Sequence, residues 1–198
     1  MPIDRLRDFV TGLTRVVAAH TDDEARILQL ARPLLTDLVR HDDWLPPAFA
    51  EPDPARYRQF LLHADPLERL SVVSFVWGPG QGTPIHDHTV WGLVGILRGA
   101  EGNQAYKREA DGRLVRDGAE TLLREGEVVT LSPTEGDIHA VRNAREDGPS
   151  VSIHVYGGNI GAIRRSTFRP EDGSAKPFIS GYSSNVVPNL WDRSNNPA

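Results

Sequence analysis

The stretch "GPGQGTPIHDHTVWGLVGILRG", Gly78 to Gly99, sets the reading of this chain. It puts His86 and His88 one residue apart in a segment that otherwise reads as turn followed by strand. On a strand, residues i and i+2 share a face, with Cα atoms roughly 6–7 Å apart. The spacing therefore predicts that His86 and His88 project together and Asp87 faces away. Two imidazoles on one face can take neighbouring positions around a metal ion. An H-x-H pair alone serves equally as a core or surface feature, so a third ligand from elsewhere in the chain is needed.

Outward from this stretch, the texture differs on the two sides. To about Pro46 the chain reads as helical. Ile3, Leu6, Phe9, Val10 and Leu13 recur at three- and four-residue intervals, the stripe of a helix lying on a core. Thr21 to Glu24 fits a capping box for a second helix, and Pro33 should kink or split that helix. After the proline-rich join "WLPPAFAEPDPARY", short β-branched runs alternate with Gly, Pro, Asn and Asp: "LSVVSFVW", "VWGLVGIL", "EVVTLSP", "AVRNA", "PSVSIHVYG", "GAIRRSTF". Many short strands at this spacing predict a mainly β sandwich or barrel with N-terminal α-helices. The expected organisation is one domain: helical segment 1–50 packed on the barrel, barrel 51–170 with the site, and surface tail 171–198.

Composition narrows the chemistry. The chain has no cysteine, so any metal must be held by His, Asp or Glu, and disulfides and a cysteine nucleophile are out. Net charge is −5 and no basic run exceeds Arg164-Arg165, which argues against a nucleic-acid groove. No apolar run approaches the roughly 20 residues of a membrane span, and the N-terminus lacks the order of a secretory signal. A cytoplasmic protein, monomer or small homo-oligomer, with no nucleic-acid or membrane partner, is the expectation.

The order Gly80-x5-His86-x-His88-x3-Gly92-x6-Gly99 resembles the first motif of the cupin superfamily, with Gly92 where many cupins carry a glutamate ligand. Gly126-x6-Pro133-x2-Gly136-x2-His139-x3-Asn143 is similar to the second motif, with one extra residue in each of two gaps. The resemblance implies a double-stranded β-helix, or jelly-roll, barrel in which His139 is the third ligand. The glycines suit barrel corners, where φ is often positive. Three neutral imidazoles leave the full +2 charge on a metal and favour an anionic exogenous ligand; Gly92 should also clear volume beside the metal. A three-histidine zinc site that activates water uses the same residues. Ser132-Pro133 is a candidate cis peptide before His139, although X-Pro bonds are mostly trans.

"SVSIHVYGG" sets Ser152, His154 and Tyr156 at i, i+2 and i+4 of one strand, able to form a hydroxyl–imidazole–phenol relay, or equally a half-exposed polar face. A hydrolase reading fails because Ser152 sits mid-strand, without a strand-to-helix nucleophile turn. With HDHT, GDIH and S-x-H-x-Y together, the chain from about Tyr57 to the tail resembles the thiol dioxygenases, the family of cysteine dioxygenase and 3-mercaptopropionate dioxygenase. The resemblance implies a mononuclear Fe(II) enzyme that adds O2, its co-substrate, to a small-molecule thiol to give a sulfinic acid. It makes His86, His88 and His139 the metal ligands and Ser152, His154 and Tyr156 the catalytic relay.

Two departures bear on the substrate. Mammalian-type cysteine dioxygenases join a cysteine to the catalytic tyrosine, and Gly92 stands at the matching position here. Those enzymes also bind the substrate carboxylate through the arginine of a Y-x-R segment, whereas "Tyr57-Arg58-Gln59" ends in Gln59. This is similar to the Gln-type bacterial branch, associated with 3-mercaptopropionate, in which a later arginine, here Arg165 rather than Arg164, is the carboxylate partner. A carboxylate needs a charge-assisted donor, and Gln59 supplies only an amide. The resemblance therefore favours 3-mercaptopropionate, with L-cysteine next. The alternatives are a non-catalytic cupin holding a small organic acid, or a zinc or manganese cupin.

Overall fold

The computed structural model describes residues 3–192; residues 1–2 of the expected helical segment and 193–198 of the expected tail lie outside them. Two helices, α1 (Asp4–Ala19) and α2 (Glu24–Val39), precede eleven strands: β1 (Arg58–Ala64), β2 (Ser71–Trp77), β3 (Gly92–Arg98), β4 (Ala100–Arg108), β5 (Leu114–Arg116), β6 (Thr121–Arg124), β7 (Val128–Leu131), β8 (His139–Asn143), β9 (Ser150–Tyr156), β10 (Arg165–Phe168) and β11 (Ala175–Phe178).

The predicted stripe of α1 is the buried one, with Leu6, Phe9, Val10 and Leu13 in the core. The predicted start of α2 needs correction. Its N-cap is Asp23, whose carboxylate accepts from the Arg26 N–H, and Glu24 accepts a hydrogen bond from Ser132 instead of reaching back. Asp23 has the same capping chemistry as Thr21 and lies one residue before the first helical position. Pro33 does not split α2, which runs through it as one element. Pro33 is exposed, and the buried face of Ile27, Leu28, Ala31, Leu35 and Leu38 holds the helix against the sheet.

One antiparallel sheet has the order β1-β2-β9-β3-β7. Its outer face meets the helices: Val72 and Val76 of β2, Leu93 and Leu97 of β3, and Val151, Ile153 and Val155 of β9 share a core with Leu35, Val39 and the rest of the helical stripe. Gly95 makes this approach possible, since a Cβ there would lie 2.9 Å from Val39 and 3.1 Å from Leu35. The inner face carries Val73, Phe75 and Trp77, which pack with Val141 of β8 and with Tyr156. The opposing layer is built on β4, which pairs with β5, β6 and β8. This is the double-stranded β-helix barrel.

The decisive histidine segment is not a regular strand. His86 makes single bridges to His139 on β8 and to Thr167 on β10. Its N–H donates to the His139 carbonyl at 2.9 Å and its carbonyl accepts from the His139 N–H at 3.0 Å. The segment thus lies between β8 and β10, which completes the second layer through one residue. Among the motif glycines, Gly80, Gly99, Gly126 and Gly136 have φ between +74° and +107°, as corner positions require. No peptide bond is cis among the described residues, so Ser132–Pro133 is trans. No helix among them is long and apolar enough to cross a membrane.

Candidate metal centre

The three predicted histidines converge. The candidate ligand nitrogens of His86, His88 and His139 lie within 4.8 Å of one another, and all three residues are buried. The outward nitrogens of two rings are held from behind. His86 Nδ1 faces the Pro84 carbonyl at 3.1 Å, and His139 Nδ1 faces Asn103 Oδ1 at 3.0 Å. His88 Nδ1 lies 3.8 Å from the Asp137 carboxylate. An Nδ1–H given to a carbonyl leaves Nε2 as the bare nitrogen, and His139 Nε2 is buried with no hydrogen-bond partner. Burial pushes the His86 pKa down to about 4. Burial first, and the neighbouring imidazoles second, push His88 and His139 well below the ordinary value. Three neutral, converging imidazoles, with buried nitrogens of His88 and His139 left without partners, fit a non-haem metal ion.

Asp137 was not among the predicted site residues, although it sits two places before His139 in GDIH. Its carboxylate accepts from the N–H groups of His88 at 2.7 Å and Thr89 at 3.0 Å. Thr89 has φ +62°, costly for a β-branched residue. The Asp137 bonds and the Thr89 hydroxyl on the His88 carbonyl hold that turn, and with it the His88 ring. Asp87 points away from the imidazoles, as parity requires, and its side chain accepts from the Ser166 N–H at 2.8 Å.

The metal set opens on a cavity of about 160 Å³ whose wall includes Tyr57, Gln59, Trp77, His154, Tyr156 and Arg165. The Ser152–His154–Tyr156 series forms a continuous relay. Ser152 Oγ lies 2.8 Å from His154 Nε2, and His154 Nδ1 lies 2.8 Å from the Tyr156 hydroxyl. Every residue of β9 is buried, so its polar face is an interior one, not a solvent face. Burial holds the His154 pKa down at about 3, with lesser contributions from His86 and Arg165. Burial raises the Tyr156 phenol, and Arg165 opposes that shift.

Gly92 stands opposite Tyr156 in the β3–β9 pair. Its Cβ position would face Val155 O at 3.1 Å and the Tyr156 ring at 3.2 Å. The missing side chain makes way for that ring.

At the mouth, Arg165 is 5% exposed and Arg164 is exposed, so only the former reaches the cavity. Arg165 donates to Ser180 Oγ at 2.8 Å and lies over the Phe178 ring at 4.7 Å, while its Nε is buried without a partner. Gln59 is buried; its side-chain amide donates to the Gly181 carbonyl and its backbone N–H to Ser183 Oγ. Ser180 to Ser183 belong to the segment predicted as a surface tail, yet they frame the cavity residues. Nothing in their polar sequence announces this. Arg58, between Tyr57 and Gln59, turns outward to Glu51 and Asp53.

The cysteine dioxygenase type I family model matches residues 16–168. This chain belongs to that family. Cysteine dioxygenase type 1 of Homo sapiens is 28% identical over 113 residues, 54% of this chain and 54% of that protein. This chain thus spans about half the length of that relative. The Danio rerio protein of the same name is 28% identical over 161 residues, 79% of this chain and 76% of its own. Solved structures with some likeness include a Klebsiella pneumoniae protein described as having a double-stranded beta-helix domain. Its TM-score is 0.46 at 15% identity, covering 71% of this chain and 98% of that one. A cupin superfamily protein from Desulfitobacterium hafniense has a TM-score of 0.45 at 15% identity, covering 60% and 94%.

Proposed function

We propose that this member of the family is an Fe(II)- and O2-dependent thiol dioxygenase acting on a small carboxylate-bearing thiol, with 3-mercaptopropionate preferred and L-cysteine next. The observation that carries the reading is the meeting of three neutral imidazoles, the Tyr156 phenol and the Arg165 guanidinium in one small cavity. Both oxygen atoms of O2 end on sulfur as the thiol becomes a sulfinic acid, so no outside reductant is required. Bound by His86, His88 and His139, Fe(II) would supply a Lewis-acidic, one-electron centre at which a thiol ionises and O2 is reduced.

The chain's own residues then position and stabilise. Arg165 lines the cavity and binds the carboxylate, fixing the sulfur end toward the histidines. The Tyr156 hydroxyl, oriented by His154, donates a hydrogen bond to negative charge developing on oxygen. Phe75, Trp77 and Val141 exclude water from that side.

Substrate preference follows from charge. Among the described residues lining the cavity, Arg165 is the one charged group and no carboxylate is present. An ammonium there would be desolvated beside a cation with no counter-ion. L-Cysteine carries that ammonium and 3-mercaptopropionate does not. Gln59, in the place of the family's usual arginine, fits the same preference, because it adds no second cation for the carboxylate.

Oxygen uptake by the iron-loaded protein with 3-mercaptopropionate, L-cysteine and cysteamine in parallel tests class and substrate together. The expected order of kcat/KM is 3-mercaptopropionate, then L-cysteine, then cysteamine, which lacks the carboxylate. Iron-loaded protein with no thiol-dependent uptake would remove the reading, and equal rates with cysteamine would remove Arg165 from it.

A further inference from the structure

After β11, residues 180–183 belong to no helix or strand, yet every one of them is hydrogen-bonded to the framework of the site. Ser180 Oγ accepts from Arg165 Nη2–H at 2.8 Å. The Gly181 N–H donates to the Gly161 carbonyl at 3.0 Å, and the Gly181 carbonyl accepts from the Gln59 side-chain amide. The Tyr182 hydroxyl accepts from the Gly161 N–H at 3.0 Å and donates to Asn159 Oδ1 at 2.6 Å. Ser183 gives its N–H to the Gln59 carbonyl at 2.8 Å, and its Oγ accepts from the Gln59 N–H at 2.9 Å. One four-residue strap thus joins β1, the connection between β9 and β10, and β10 itself. Two of its partners, Gln59 and Arg165, line the cavity.

The strap is seated independently of Arg165. Asn159, which accepts from Tyr182, donates in turn to Glu68 Oε1 at 2.8 Å. A Cβ at Gly161 would collide with the Tyr182 ring, so that ring lies directly on the backbone of the β9–β10 connection. Tyr182 also packs on the cluster that holds Phe75, Trp77 and Tyr156. The place of Ser180 is therefore set before the arginine is considered.

Arg165 needs such a fixture. Its guanidinium lies over the Phe178 ring, 4.7 Å from the centroid. A ring beneath a planar cation limits its tilt but not its rotation within the plane. A directional bond at one edge stops that rotation, and Ser180 supplies it. The acceptor is also neutral. A hydroxyl engages one of the five N–H donors and leaves the positive charge in place. A carboxylate at the same point would cancel the charge that a substrate anion has to find.

We propose that Ser180 is a positioning residue that determines specificity: held by the 180–183 strap, it fixes the Arg165 fork for a carboxylate and, being uncharged, keeps that end of the cavity selective for an anion. This deepens the function proposed above and rests on Arg165 being the carboxylate partner. Gln59 takes part through the strap, which it holds by its backbone and by its amide.

The test is calorimetric binding of 3-mercaptopropionate and cysteamine to the iron-loaded full chain without oxygen, followed by kcat and KM in air. Ser180→Ala should weaken 3-mercaptopropionate binding about tenfold, the low end of one hydrogen bond to a charged group. Cysteamine, which has no carboxylate, should bind as to the wild type. In air the alanine variant should show the loss in KM, with kcat preserved. Ser180→Thr keeps the hydroxyl and should restore wild-type binding. Ser180→Asp should weaken 3-mercaptopropionate by about 10²-fold through like-charge repulsion and loss of the free cation, and cysteamine should bind more tightly because its ammonium gains a counter-ion. Equal weakening of both thiols in Ser180→Ala, no weakening of either, or an unchanged preference in Ser180→Asp would overturn the proposal. If the alanine variant does not fold, the aspartate variant decides through the reversed preference. The expected binding pattern in a protein without thiol-dependent oxygen uptake would sink the dioxygenase reading and leave the role of Ser180 standing. Oxygen uptake with wild-type selectivity in both variants would do the reverse.

Discussion

On β9 the order of Ser152, His154 and Tyr156 is fixed by the backbone, since the strand is paired along its length with β2 on one side and β3 on the other. From His86 to Thr89 no such ladder exists. That segment is held by single bridges, by the Asp137 carboxylate and by a carbonyl or amide behind each of two rings. The two regions face the same cavity, yet one owes its geometry to secondary structure and the other to individual polar contacts. A ladder tolerates loss of one side chain because its neighbours stay in register. A segment built from side-chain supports transmits the loss of any one support to the ligands.

The largest effect expected from breaking either region is His88→Ala. It removes one of three ligands and should abolish metal binding and turnover together, a loss of more than about 10³-fold, checked by metal analysis and oxygen uptake. Tyr156→Phe probes the other region. The ladder should keep His154 and Ser152 in place, so metal content stays at the wild-type level while kcat falls by roughly 10²-fold, the scale of one lost donor to developing charge. Metal loss in the Phe variant would show that the regions are not separable. Asp137→Ala should come next. It frees two N–H groups and releases the strained Thr89 turn, weakening metal affinity by about 10–100-fold, with little change in kcat once the site is saturated. Competition with a chelator of known affinity measures it.

The same contrast explains what could be read in the sequence. Period-two spacing put Ser152, His154 and Tyr156 on one face, and the glycine and histidine spacings pointed to the three ligands and the barrel, although the strand invoked for His86 and His88 is a one-residue bridge. What escaped depends on register between distant strands. Asn103 matters because β4 brings it to His139. The strand that carries it, "AEGNQAYKR", has little apolar alternation and owes its form to pairing with β5, β6 and β8. Likewise the Ser180–Ser183 segment reaches Gln59 and Arg165 only through the β10–β11 hairpin.

The smallest expected effect tests how tightly the ladder region is packed. Gly92 stands opposite Tyr156 in the β3–β9 pair, and its backbone does not need positive φ. Alanine is therefore conformationally acceptable, and only space is at issue. The new methyl would sit 3.1 Å from Val155 O, a carbonyl within the ladder, and 3.2 Å from Tyr156 Cδ1. The carbonyl is the less free to move, so the ring must give way. Tyr156 is confined on its other sides by His88, stacked at 5.4 Å between centroids, and by the 2.8 Å bond to His154. Gly92→Ala should consequently cost about 1–2 kcal/mol of stability, as small overpacking does, and lower kcat severalfold with metal content unchanged. Urea denaturation and oxygen uptake measure the two quantities. A variant as stable and as active as the wild type would mean that β3 and β9 yield at this point, and the contrast between a rigid ladder and a propped histidine segment would fail where the two regions touch.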